Sequence, residues 1–232
     1  MVRAEALCVF SWRRVPVLAW APCGRPPGGG WPAVVALHGY GLDEAFFARV
    51  IRLRFPKSPW VWIVPRGPWR VHPERGRVGY AWLVGSKEHP DHEGMAGTER
   101  LMTDALKAAA RRFPIDRRRT ALMGFSQGGF AAGVAALRSP RRWRGAAVLG
   151  GYVNPLLVPG GVASGRGARL AFLHGRQDTD VPLERARTSV SLLAGVGITA
   201  SLRTFPGGHK LSRPMADAAD DFLQEALGTT AP

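Results

Sequence analysis

Ser126 lies in the run Thr120-Ala121-Leu122-Met123-Gly124-Phe125-Ser126-Gln127-Gly128-Gly129, which contains G-x-S-x-G. A serine at a sharp strand-to-helix turn is exposed for attack on a carbonyl, and its neighbours must be small to avoid collision. The helix that follows directs its partial positive N-terminus at the same point. Five residues of this kind arise by chance in glycine-rich turns. The weight comes from the context, a buried apolar run before the motif and a helical segment after it.

A serine nucleophile needs a base, and the base needs an orienting acid. Downstream of Ser126 there are two histidines, His174 and His209. His209 follows Phe205-Pro206-Gly207-Gly208, and Asp178 stands in His174-Gly175-Arg176-Gln177-Asp178-Thr179-Asp180-Val181-Pro182. Ser126, Asp178 and His209 therefore occur in the order Ser, Asp, His, each after a predicted strand. Asp180 competes with Asp178 as the acid, but it also fits an N-cap for a helix starting at Pro182. His174 precedes the acid and reads as a residue that shapes the turn. An oxyanion site needs two backbone N–H donors. Gln127 offers one, and Tyr40 in Leu37-His38-Gly39-Tyr40-Gly41 offers the other; a plain glycine turn is the alternative reading of that loop.

The elements that must position these residues follow from apolar patterning. Ala33–Leu37, Trp60–Val64, Thr120–Gly124, Gly145–Leu149, Leu170–Leu173 and Ile198–Thr204 read as strands, several continuously apolar as expected for burial on both faces. Asp43–Phe55, Thr98–Arg112 (with Thr98 as N-cap), Gln127–Leu137, Pro182–Leu193 and Pro214–Leu227 read as helices. Ala6–Phe10 and Val15–Trp20 suggest a leading antiparallel hairpin. Residues 66–97 read as an irregular insertion, rich in Pro, Gly and His. The alternation predicts an α/β fold, a mainly parallel sheet with helices on both faces.

Composition sets the outer limits. The chain has 232 residues, 46% of them hydrophobic and 21% charged, a globular balance. No apolar run reaches the ~20 residues that span a bilayer. Ala19-Trp20-Ala21 has the look of a signal-peptide cleavage site, but Glu5, Arg13, Arg14 and Pro16 interrupt any apolar core before it. A cytoplasmic protein is the expectation. The two cysteines, Cys8 and Cys23, read as reduced thiols, with pairing across the leading hairpin as the alternative.

Charge is the unusual feature, a formal +15 carried almost entirely by arginine. It invites an anionic partner, yet a coding bias produces the same skew. Arg111, Arg112, Arg117, Arg118, Arg119, Arg138, Arg141, Arg142 and Arg144 cluster ahead of two strands, with Asp116 as the one acid among them. Residues that lead into parallel strands lie at the edge opposite the ligand-binding edge. The cluster is thus expected to face away from Ser126.

Taken together, the stations resemble the phospholipase/carboxylesterase family of α/β-hydrolases, which includes acyl-protein thioesterases. Four carry the likeness: Leu37-His38-Gly39-Tyr40-Gly41, Gly124-Phe125-Ser126-Gln127-Gly128-Gly129, His174-Gly175-x-x-Asp178-x-x-Val181-Pro182, and Gly208-His209. Pro114-Ile115-Asp116, Pro65-Arg66-Gly67 and Tyr80-Ala81-Trp82 add to it. The resemblance implies one α/β-hydrolase domain over residues 1–232, with leading strands and a turn in 1–30 and no full cap domain. It implies a carboxylic-ester or thioester hydrolase without metal or organic cofactor. Ser126 would be the nucleophile, His209 the base and Asp178 the orienter, with Tyr40 and Gln127 as oxyanion donors. Trp82 matches a tryptophan near the family's pocket, although a core position fits it equally. Leu156, in the apolar and glycine-rich stretch Tyr152–Ala168, is the other candidate substrate contact.

Two other readings follow from single features. The charge allows a nucleic-acid or anionic-surface binding module on a hydrolase scaffold, although a nucleic-acid partner is not expected. The same serine machinery allows a peptidase. His89-Pro90-Asp91-His92-Glu93 does not read as a metal site, because Pro90 breaks the helix that would align its histidines. Trp60 and Trp62, two apart on a strand, read as core.

Overall fold

A computed structural model describes residues 5–10, 14–73, 78–85 and 90–229. Numbered in chain order, the main sheet contains β1 (Glu5–Phe10), β2 (Arg14–Trp20), β3 (Trp31–Leu37), β4 (Val61–Pro65), β7 (Ile115–Phe125), β8 (Ala146–Leu149), β9 (Arg169–Gly175) and β10 (Thr199–Phe205). Their spatial order is β1-β2-β4-β3-β7-β8-β9-β10. The run from β4 to β10 is parallel, and β2 joins it antiparallel, with β1 completing the leading hairpin. Cys8 lies opposite Pro16 in that hairpin, and Cys23 is a free, exposed thiol beyond its end.

The central strands are continuously apolar because both faces are covered. Every residue from Ala33 to Leu37 is fully buried. On one face α1 (Glu44–Arg54) and α5 (Arg213–Leu227) bring Phe47, Ile51, Met215 and Leu223 against Trp60 and Trp62. On the other, α2 (His92–Ala109), α3 (Gln127–Arg138) and α4 (Leu183–Gly195) bring Met102, Val134 and Leu193 against β3, β7 and β9. The two tryptophans pack on each other with ring centroids 5.6 Å apart, a core pair as expected.

The described residues within 66–97 hold more regular structure than the sequence suggests. β5 (Trp69–Val71) and β6 (Gly79–Ala81) form a small antiparallel sheet of their own. α2 begins at His92 rather than at Thr98, and its N-cap is Asp91, whose Oδ1 accepts the Gly94 N–H at 2.8 Å. Gly94 and Gly97 disguise this first turn as loop. Gly94 lets the Asp91 carboxylate sit against the helix start, since a Cβ there would overlap it. Thr98 is not the cap. It is buried within the helix and donates its hydroxyl to the Trp82 carbonyl at 2.8 Å.

The chain leaves β3 outward through α1 to β4, then crosses back through α2 to β7 on the other side of β3. The ends of β3 and β7, paired at Leu37 and Gly124, therefore flank the crevice where winding reverses. Ligands bind at such a switch point in open α/β sheets.

Candidate active site

Ser126 occupies the turn between β7 and α3. Its backbone sits at φ 55° and ψ −122°, the one positive φ among described non-glycine residues. Such a conformation persists only where the surroundings enforce it. Here the Ser126 N–H donates to Leu149 O at 2.8 Å, and Ser126 O accepts the Phe130 N–H at 2.9 Å. Gly124 and Gly128 make the turn possible: a Cβ on the first would overlap the backbone of the second, and a Cβ on Gly128 would overlap Leu37 O.

Asp178 and His209 come from the loops after β9 and β10. The His209 Nδ1–H donates to Asp178 Oδ2 at 2.7 Å. Asp178 Oδ1 accepts the Val181 N–H at 2.8 Å and the Asp180 N–H at 3.1 Å, so the carboxylate is buried but fully used. The His209 ring packs on Phe125, next to Ser126, with centroids 4.8 Å apart. Gly150 lies beneath that ring. Asp180 is exposed and does not cap α4, whose N-cap is Pro182 with no side-chain bond. His174 is buried and shapes the turn, its Nε2–H donating to Val181 O at 2.8 Å.

The Gly39–Gly41 loop after β3 is held from beneath. The His38 Nδ1–H donates to Gly39 O at 2.8 Å, and its Nε2 accepts the Gly67 N–H at 2.9 Å. Burial pushes the His38 imidazole down to about 4, which keeps it neutral and able to accept that bond. The Trp82 indole N–H donates to His38 O at 2.7 Å. The Trp82 backbone N–H donates to Gln127 Oε1 at 2.9 Å, and Gln127 Nε2 donates to Leu83 O at 2.8 Å. Beside the loop, Arg66 grips Glu44 through Nε and Nη2 at 2.6 and 2.7 Å. This bond to Glu44 holds the Arg66 guanidinium above its ordinary value. None of the Trp82–Gln127 bridge was legible from motif spacing. The juxtaposition of Pro65-Arg66-Gly67 and Tyr80-Ala81-Trp82 was its one trace.

A cavity of about 390 Å³ opens at Ser126 and Gln127, walled by Leu83, Phe130, Tyr152 and Leu157, with Arg185 and Asp91 at its sides. Two candidate substrate contacts lie outside the lining of this cavity, Trp82 in the core position that the sequence equally allows. Trp82 is fully buried behind the wall and positions the loop from there. Leu157, not Leu156, faces the cavity: the single 3-10 turn Pro155–Leu157 buries Leu157 and leaves Leu156 61% exposed on an adjacent surface. At the opposite edge of the sheet, Arg117, Arg118, Arg141, Arg142 and Arg144 line a separate groove of about 630 Å³. These five arginines of the cluster thus lie away from Ser126, as expected.

Among the described residues no cluster of three or more His, Cys, Asp or Glu is arranged to hold a metal, and no helix is long and apolar enough to cross a membrane. The sheet, its helices and the strand-end site define an α/β-hydrolase fold. Solved structures share it. Acyl-protein thioesterase 2 of Zea mays aligns with a TM-score of 0.69 at 21% identity, over 93% of this chain and 100% of that one. The Bacillus cereus carboxylesterase aligns at 0.71 and 17% identity, over 91% and 94%. The model of the Phospholipase/Carboxylesterase family matches residues 30–227, and the chain belongs to that family. A curated relative, acyl-protein thioesterase 1 of Gibberella zeae, is 32% identical over 116 residues, or 47% of this chain. The match spans about half of that relative, 48% of its length.

Proposed function

We propose that the protein is a serine hydrolase of carboxylic esters or thioesters, built as one domain and acting in the cytoplasm. Ser126 Oγ attacks the acyl carbonyl while His209 takes its proton, and the carbon–oxygen or carbon–sulfur bond to the leaving group breaks as His209 returns that proton. Water, activated by His209, then attacks the acyl-Ser126 ester and restores the serine. Asp178 fixes the tautomer of His209 by accepting from Nδ1, which turns Nε2 toward the reaction. The backbone N–H groups of Tyr40 and Gln127 stabilise the oxyanion. This chemistry is complete without a metal or organic cofactor.

The observation that carries the reading is the 2.7 Å bond between buried Asp178 and part-buried His209 beside the strained turn at Ser126. A fluorophosphonate probe is expected to label the protein and to spare Ser126→Ala. An unlabelled wild type, or a variant labelled equally well, would overturn the proposal. The arginine groove takes no part in this chemistry, because it opens at the other edge of the sheet.

A further inference from the structure

Arg185, on the first turn of α4, stands in the wall of the cavity that opens at Ser126. Its guanidinium carbon lies 4.8 Å over the centre of the Tyr152 ring. Tyr152 in turn packs edge-on against Phe130, with centroids 5.1 Å apart, and Phe130 is one helical turn beyond Ser126. A continuous stack therefore leads from the serine's own helix to a cation.

Arg185 is the one Lys or Arg among the described residues that line this cavity, and it carries no counter-charge. Arg66, Arg138 and Arg187 each hold a carboxylate, at 2.6, 2.8 and 3.3 Å. Arg185 has no carboxylate within 4.0 Å and no guanidinium hydrogen bond among the described residues, although it is half-buried. Asp91 is the carboxylate in the described cavity wall, and it serves the N-terminus of α2, accepting from Gly94 and Val84 at 2.8 and 3.4 Å.

A guanidinium stacked on an aromatic face loses little further freedom when it binds. Its fork of donors matches a carboxylate or phosphate in two parallel bonds. We infer that Arg185 receives an anionic group of the substrate, so that the esters or thioesters turned over carry a carboxylate or phosphate on one side of the scissile bond. Leu83, Phe130 and Leu157 line the apolar path between that group and Ser126. This inference rests on the serine-hydrolase reading and narrows its substrate class.

The test compares paired esters. Mono(4-nitrophenyl) succinate against 4-nitrophenyl butyrate places the charge on the acyl side. The butyryl ester of 3-hydroxybenzoate against phenyl butyrate places it on the leaving group. The butyryl ester of glycerol 3-phosphate against monobutyrin tests phosphate. In at least one pair the wild type is expected to favour the anionic member, and Arg185→Gln to raise its KM by ~10–100-fold, the loss of a charge-assisted pair. The neutral member should change by less than about threefold, and Arg185→Lys should restore part of the difference. Equal losses on neutral and anionic esters, or a wild type that prefers the neutral ester in every pair, would overturn the inference while leaving the hydrolase reading intact. No turnover of any ester together with no probe on Ser126 would overturn the hydrolase reading, and this inference with it.

Discussion

Asp178 and His209 meet at 2.7 Å across 31 residues of sequence, each carried on the loop that leaves one of two adjacent parallel strands. Asp178 also organises its own turn through Val181 and Asp180, so one carboxylate sets both the loop and the ring. Asp178→Asn is expected to lower kcat by roughly 10³-fold or more, because the amide favours the wrong imidazole tautomer. The exposed Asp180→Asn should stay within about threefold. Steady-state kinetics on one neutral ester, with thermal melts to confirm folding, separates the two acids.

Ser126 stores backbone strain that a glycine would release. A residue held in such a region costs on the order of 1–3 kcal/mol, and glycine's extra chain entropy returns ~0.5–1 kcal/mol of that difference. Ser126→Gly should therefore raise the melting temperature while abolishing turnover. Ser126→Ala, which keeps the Cβ, should abolish turnover without that gain. Differential scanning calorimetry of both variants is the measurement, and an Ala variant that gains as much as Gly would remove the strain from the account.

Much of this site could be read from the chain because its chemistry is local. G-x-S-x-G, the two downstream histidines and the apolar strands before each are short-range signals, and the structure brings Asp178 and His209 together as that order implies. The start of α2 was hidden, because Gly94 and Gly97 look like loop until the Asp91 cap on the Gly94 N–H is seen. The β5–β6 hairpin was hidden for a related reason: strands of three residues carry almost no periodicity. Trp82 and Gln127 meet across 45 residues of sequence and Arg185 reaches Tyr152 across 33, and only the packed fold shows what they touch.

Gly79 presses its backbone against Gly41, so closely that a Cβ would overlap Gly41 O. Gly41 N–H also donates to Tyr80 O at 2.9 Å. Gly79→Ala should therefore displace the Tyr40 loop and lower kcat by ~10-fold or more, as the loss of an oxyanion donor does. Gly28→Ala, where a Cβ meets nothing within 4 Å, is the control and should leave kcat unchanged.

Burial lowers the His38 pKa from 6.5 to about 4, so the folded protein holds it neutral where the unfolded chain would bind a proton. The unfolded state then carries more protons between those values, and stability rises with pH through that window. The stabilisation lost on acidification from pH 7 to pH 4 is roughly 3 kcal/mol for this residue. Denaturant titrations across pH 4–7 should show a slope that His38→Gln flattens, whatever that variant's absolute stability.

Trp82→Phe removes the indole N–H and leaves the His38 carbonyl buried without its donor. The expected destabilisation is about 1–3 kcal/mol. Since the Tyr40 loop hangs from His38, kcat should fall more than KM rises. A change confined to KM would instead put the tryptophan in contact with substrate.

The groups proposed to react are divided unevenly along the chain. Tyr40, Ser126 and Gln127 all precede the end of β8, while Asp178 and His209 follow the start of β9. Between those strands runs the loop with its two 3-10 turns and the exposed pair Gly160-Gly161. Cut there, the molecule becomes two polypeptides, one holding the proposed nucleophile and the other its proposed base. Each would be chemically silent alone, and each would expose the sheet edge that Ala146–Leu149 and Leu170–Leu173 share in the intact fold. On the proposed chemistry, ester cleavage would register that the two halves have been brought back together.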